Sequence, residues 1–356
     1  MDLILESNKL KRSEIDDTLR GPINSSSDLD IRQYKTKSDK YNVSVVDRKS
    51  GIRFHADFCN KEISSFLRYE IINFARSVNI LAQVNHPSIV KFVGYSPIDF
   101  TFQPKPVFIT EDFEQFDILK DYTQKLIYIY GVASGMAYLH SHNILHRNLK
   151  PANIMTNKYG FPKIYGFDIA KEIKSDEVEP NKRIKGTPVY IAPEVYLNKG
   201  YSKKSDVYSF SLIMYEIFTE EQPFDEYNEF NSPFEIKQRI VNEQERPKFI
   251  KPINESYKTL IERCWSQEPS SRPSFSEIIT ELKTNPDFIT DSVDKETFFE
   301  YVAYIDEFNA TFDPSRKVKQ LDDILQNKLY SFPDIKPSFH FKNMYSTETN
   351  NLLVDD

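Results

Sequence analysis

The spacing of apolar residues along this chain changes period several times, and each change marks an element. Residues 41–58 alternate on both sides of Ser50-Gly51, which predicts two strands joined by a turn. In residues 66–84 the period lengthens: Phe66, Ile71, Phe74, Val78 and Leu81 recur at helical spacing, and Asn85-His86-Pro87 closes the helix. Residues 89–95 and 106–113 return to strand patterning. Residues 125–140 carry Leu126, Ile129, Ala133, Met136 and Ala137 as one stripe, the pattern of an amphipathic helix. Residues 205–218 are apolar on nearly every face, which predicts a buried helix. Near the end, Phe298, Tyr301, Val302, Ile305 and Phe308 form one helical stripe, and Val318, Leu321, Ile324 and Leu325 a second. Residues 1–30 are polar with a serine run at 25–27, and residues 331–356 hold no sustained period. Both predict flexible tails, with structure starting near Ile31.

Charge and composition then remove several function classes. The 356 residues can bury a sizeable core, and 39% hydrophobic with 28% charged residues is a globular balance. A net charge of −7 argues against nucleic acid as the main partner, since a basic patch is the usual footprint there. Cys59 and Cys264 are too few and too far apart in sequence for a disulfide framework, which predicts a reducing, cytoplasmic setting. No apolar run reaches the length of a membrane span, and the first residues are too charged for a signal peptide. The nine glycines fall well below the usual share of about 7%. None lies between positions 22 and 50.

The chain is organised around residues 139–168. They include His146, Arg147, Asn148, Leu149, Lys150 and Asn153, followed by Gly166, Phe167 and Asp168. This stretch resembles the catalytic loop and metal-binding loop of protein kinases, in which aspartates stand at the positions of Asn148 and Gly166. Other stretches extend the resemblance over about residues 31–288. Residues 186–194 (GTPVYIAPE) are similar to the end of the activation segment. The preceding residues 169–185 hold Lys171, Lys174, Lys182, Arg183 and Lys185 and predict a solvated basic loop, on which Arg147 is able to pair a phosphate. Residues 205–218 match the family's central helix. The resemblance implies that Asp206 holds the catalytic loop's backbone, that Glu194 and Arg272 form a buried ion pair, and that His146 is a core histidine supporting Phe167. A metal cluster of His140, His142 and His146 lacks the cysteine or carboxylate that would complete it. Trp265 and Arg272-Pro273 point to the tyrosine-kinase-like branch, whereas the loop through Lys150 and Asn153 is of serine/threonine type.

The implied fold is α+β: a two-lobed kinase fold with a small β-rich lobe (31–113, one helix) and a large helical lobe (114–288). A helical extension (289–330) follows, flanked by tails at 1–30 and 331–356. Against that frame the reactive positions depart from the pattern. The glycine loop that would cover nucleotide phosphates falls on Thr36, Ser38 and Tyr41, none of them glycine. The strand lysine that would neutralise those phosphates falls on Asp57, with Lys49 and Lys61 flanking at or beyond the strand's ends. At about 4 Å and an effective dielectric near 20, one unit-charge pair is worth roughly 4 kcal/mol. Reversing its sign shifts binding by about twice that, comparable to a whole micromolar affinity of about 8 kcal/mol. The helix glutamate that would pair with the lysine falls on Ser77. The hinge holds Thr110 at the gatekeeper position, then Glu111 and Phe113, and its backbone remains able to accept an adenine-like ring.

The chemistry implied follows from these losses. Asn148 cannot accept a proton from a hydroxyl, a step worth about 10²–10⁴-fold. With Gly166 at the metal position, Asn153 is left as a lone neutral ligand, poor for Mg²⁺. Lys150 helps only a phosphate that something else has bound. The resemblance therefore implies a pseudokinase that uses the fold as a signalling scaffold or allosteric partner. No cofactor, metal or nucleic acid is expected, and a protein partner is, such as an active kinase or its substrate. The alternative is a low-activity serine/threonine kinase that uses ATP and Mg²⁺ with Asp168 as substitute metal ligand.

Overall fold

The computed structural model describes residues 29–36, 40–47, 53–59, 65, 68–96, 105, 107–113, 121–174, 178–180, 183–224 and 233–311. They fall into two compact units, one from residues up to 85 together with 90–113, the other from 86–89 and the described residues after 113. The tails at 1–28 and 312–356, and with them the second predicted tail helix, lie outside the described residues.

The first unit is an antiparallel sheet of order β1-β2-β3-β5-β4. Its strands are β1 (Leu29–Thr36), β2 (Lys40–Asp47) and β3 (Arg53–Cys59), then helix α1 (Arg68–Gln83), β4 (Phe92–Ser96) and β5 (Val107–Glu111). The two strands foreseen in residues 41–58 are β2 and β3, but they form the second hairpin. An unforeseen strand, β1, precedes them and pairs Thr36 with Tyr41. Gln33 breaks the apolar alternation begun by Leu29 and Ile31, and the pairing shifts register between Ile31 and Gln33, so no single periodicity reveals β1. α1 joins the sheet through Phe74, whose ring meets Phe108 at 4.6 Å, and through buried Val78 and Leu81.

The second unit begins with α2 (Tyr122–Ser141), capped by Asp121, whose carboxylate accepts the amide of Gln124 at 2.8 Å. The short strands β6 (Ile144–Leu145), β7 (Ile154–Thr156), β8 (Pro162–Ile164) and β9 (Lys171–Glu172) follow. Ile89, expected in β4, instead bridges Ile164 of β8 in parallel. The helices α3 (Pro193–Tyr196), α4 (Lys203–Thr219), α5 (Pro233–Lys237), α6 (Glu255–Cys264), α7 (Phe275–Thr284) and α8 (Lys295–Thr311) complete it.

α2 corrects the amphipathic expectation. Only Gln124 and Ser141 of its residues are exposed, because α4, α7, α8 and β8 pack around it. Tyr128, Tyr130 and Val132 fill the faces away from the stripe, and even Lys125 is buried, paired with Glu220 at 2.8 Å. α4 is buried almost all round, as its sequence foretold. α8 matches the first tail stripe and buries Phe298, Tyr301, Val302 and Ile305. It packs on α2 at Gly131, where a Cβ would lie 2.3 Å from the Tyr301 hydroxyl, so a side chain there would displace the helix. In the basic stretch 169–185, Lys174 and Arg183 are exposed as expected, while β9 pairs with β6 and the apolar Ala170 and Ile173 are buried. No helix among the described residues is long and apolar enough to cross a membrane.

Candidate catalytic and nucleotide-binding positions

The loop between β6 and β7 is fixed by one buried carboxylate. Asp206, in the first turn of α4 and 1% exposed, accepts the amides of His146 at 3.0 Å and Arg147 at 2.8 Å, and meets His140 Nε2 at 3.0 Å. Burial pushes its carboxyl up, but the bond and charge of His140, with lesser help from the neighbouring His146 ring and the Arg147 amide, outweigh that and hold it below its ordinary value. These bonds sustain Arg147 at φ +62°, a left-handed conformation costing roughly 1–2 kcal/mol for a non-glycine residue.

His146 is fully buried. Its Nε2 lies 2.9 Å from the Tyr165 carbonyl, Nδ1 accepts the Asn148 amide at 3.3 Å, and its ring meets Phe167 edge-on at 5.1 Å. Burial pulls its pKa down to about 4 against the opposing charges of Asp206 and Asp168, so it is a neutral imidazole. The three loop histidines have separate partners: His140 on Asp206, His146 on Tyr165, and His142 against Tyr138 at 4.3 Å.

At the reacting positions, the Asn148 side-chain oxygen accepts the Thr187 hydroxyl at 3.2 Å, and its carbonyl accepts Asn153 Nδ2 at 2.7 Å. Gly166 adopts φ +82°, and a Cβ there would sit 2.5 Å from Asn153 Cγ. The missing side chain is therefore what leaves Asn153 its present place. Phe167 is buried, and Asp168 is part-exposed. Lys150 is half-buried; burial lowers its pKa and the charge of Asp168 opposes that, so the two lie within electrostatic reach. Arg147 Nε donates to the Ile169 carbonyl at 2.7 Å.

Glu194 and Arg272 form a two-pronged ion pair with both bonds at 2.8 Å and side-chain exposures of 7% and 0%. Ser205 adds a bond to Glu194, and Arg272 also donates to the carbonyls of Ser266 and Lys204, so the remaining polar atoms are satisfied.

In the first unit, β3 pairs Asp57 with Asn42 on one side and Phe108 on the other. Asp57 is 6% exposed, and its Oδ1 has no hydrogen-bond partner among the described residues. His55 Nε2 lies 3.4 Å from it, on the same strand face. His55 lies opposite Thr110 and stacks on Phe113 at 4.0 Å. Thr110 is buried with its hydroxyl 3.3 Å from the Glu111 carbonyl, and Glu111 accepts the Lys91 amide at 2.8 Å. Ser77 is buried on α1 and donates to the Asn73 carbonyl at 2.8 Å, so its hydroxyl serves its own helix. Thr36 and Tyr41 face each other across the first hairpin, while Ser38, Lys49 and Lys61 lie outside the described residues.

Sequence reasoning missed three contacts. Thr187 on Asn148 sits inside the quoted GTPVYIAPE stretch and was open to notice. The His140–Asp206 bond and the Phe113–His55 stack join residues 66 and 58 positions apart and leave no local signal.

Comparison with known proteins agrees with the geometry. The protein kinase domain profile matches residues 53–282. Among curated proteins, the chain is 34% identical over 222 residues to dual specificity protein kinase shkD of Dictyostelium discoideum, covering 60% of this chain and 29% of the relative. It is 33% identical over 245 residues to dual specificity protein kinase shkE of the same organism, covering 65% and 33%. With serine/threonine-protein kinase STY17 of Arabidopsis thaliana it shares 29% over 271 residues, covering 72% and 45%. The match thus spans less than half the length of each of these relatives.

Proposed function

This chain belongs to the protein kinase family, and from that premise we propose that it is a pseudokinase of the tyrosine-kinase-like branch, a signalling scaffold or allosteric partner with little or no phosphotransfer. The observation that carries the reading is Asp57, a buried carboxylate whose Oδ1 has no hydrogen bond among the described residues, at the sequence position where the resemblance calls for a phosphate-binding lysine. The donor set agrees with it. A magnesium nucleotide needs a cation for its phosphates, carboxylates for the metal and a base for the acceptor. The corresponding residues are a carboxylate, an amide beside a glycine, and a second amide. Such a set does not fit the group.

On this reading the partner is a protein, an active kinase or a substrate of one, met in the cytoplasm without cofactor or nucleic acid. The test is calorimetry and thermal shift with MgATP. A ligand at a hundredfold its Kd stabilises by about 2.7 kcal/mol. No shift is expected at millimolar MgATP, and a clear upward shift would sink the reading.

A second reading, a low-activity serine/threonine kinase, draws on two observations. The similar proteins carry kinase names, and the Asp168 charge lies within reach of Lys150. Labelled-phosphate incorporation that vanishes in Asp168→Ala but persists in a surface variant would establish it. No incorporation above a heat-killed control would remove it.

A further inference from the structure

We infer that the chain's own Glu179 fastens the described residues ahead of 186–194 (178–180 and 183–185) to β9 and Tyr201, so that their placement requires no added phosphate. Kinase activation loops are commonly ordered when phosphorylation supplies a charge for an arginine to pair. Here a genetically encoded carboxylate already supplies such a charge. Lys171 Nζ meets Glu179 Oε1 at 2.6 Å, with side-chain exposures of 26% and 17%, so the pair is less screened than a surface one.

Glu179 is fixed at its backbone too. Its amide donates to the Tyr201 carbonyl at 2.7 Å, and the Tyr201 amide returns a bond at 2.8 Å. The close approach depends on Gly200, at φ +89°, where a Cβ would lie 2.6 Å from the Glu179 carbonyl oxygen. Tyr201 passes the restraint onward, its hydroxyl accepting the Lys185 amide at 2.6 Å and donating to the Lys185 carbonyl at 2.5 Å. The Arg147 guanidinium, the group that would greet a phosphate, lies over the Tyr201 ring at 5.2 Å and bonds Ile169. The segment's two ends are tied as well, by β9 on β6 and by Thr187 on Asn148. Glu179 thus joins the start of the segment to the corner that holds its end.

The inference makes no use of nucleotide and stands apart from the docking role proposed above, so the two fail separately. Arg183 and Lys185 are trypsin sites, and nicking there reports opening, because cleavage follows the population of the open form. Full-length protein, dephosphorylated and verified by intact mass, should resist nicking, with a rate within twofold of the untreated protein. Glu179→Gln loses a charge-assisted bond and should nick about tenfold faster. The exchange of Lys171→Glu with Glu179→Lys should bring the rate most of the way back. Dephosphorylated wild type that nicks as fast as a denatured control would overturn the inference whether or not the variants fold. A folded Glu179→Gln protein that nicks at the wild-type rate, or an exchange variant as open as Glu179→Gln, would overturn it equally.

Discussion

Two buried aspartates, Asp206 at the start of α4 and Asp57 in β3, are 1% and 6% exposed and live in opposite circumstances. Asp206 is met by three nitrogens, two of them loop amides. Asp57 Oδ1 lies 3.4 Å from His55 Nε2 and has no hydrogen bond among the described residues. A buried charge is tolerable when paired and hydrogen-bonded and costly when it is not. The contrast separates a position that holds the fold from the position at which the resemblance calls for a phosphate-binding lysine. The carboxylate that positions the loop has three nitrogen partners, and the one at the lysine position has an Oδ1 with no hydrogen bond among the described residues.

The largest effect should come from breaking the satisfied member. Asp206→Ala leaves two buried loop amides and the His140 donor without an acceptor and removes what offsets the strain at Arg147. A loss of about 3–5 kcal/mol in urea unfolding is expected. A loss under 1 kcal/mol would mean that the loop is held by something else. Next comes acid. His146, buried as the neutral form with a pKa near 4 against 6.5 when unfolded, binds fewer protons folded than unfolded between those values. Its contribution is complete above pH 6.5 and lost as pH falls toward 4, roughly 3 kcal/mol in all. Because other groups titrate in the same range, the measurement is a difference: wild-type minus His146→Gln stability should grow as pH rises from 4 to 6.5. A flat difference would put the imidazole in contact with water.

The unsatisfied member should behave in reverse. Asp57→Val replaces a buried carboxylate whose Oδ1 makes no hydrogen bond among the described residues with a β-branched residue suited to a central strand, and a gain of about 1–3 kcal/mol is expected in thermal unfolding. A loss of similar size would show that Asp57 holds a partner in solution, and the contrast with Asp206 would fail.

The scaffold was far more legible in the sequence than the contacts of the reactive positions. Glu194, Asp206 and Arg272 sit in stretches whose residue types and spacing carried the resemblance, and buried ionic groups tolerate few alternatives, so their partners could be named. The uniform apolarity of residues 205–218 gave away α4 for a related reason: a helix without a polar face has nowhere to go but inside. β1 was illegible because its apolar alternation stops after Ile31, where the pairing also shifts register, and α2 was misread because a stripe was counted without the aromatics on the opposite faces. At the site, the losses at Asn148 and Gly166 were plain from the letters. That Asn153 fills the space beside Gly166 was not, since only coordinates show which atoms lie where a Cβ would go.

The smallest effect is the most pointed. Ser77 occupies the position at which the resemblance calls for the lysine's glutamate, and in a chain that relied on that ion pair a substitution would be ruinous. Here the Ser77 hydroxyl bonds the carbonyl four residues back, an arrangement that competes with the helix ladder rather than reinforcing it. Alanine keeps the buried Cβ, removes the competing bond and has the higher helix propensity, by about 0.5 kcal/mol. Ser77→Ala should therefore change stability by less than about 1 kcal/mol, in the stabilising direction, and leave partner binding untouched. The position is informative because the outcome is nearly silent. If that single hydroxyl proved necessary for phosphate incorporation, α1 would be part of a working site, and the division between a kept scaffold and lost chemistry would have to be redrawn around it.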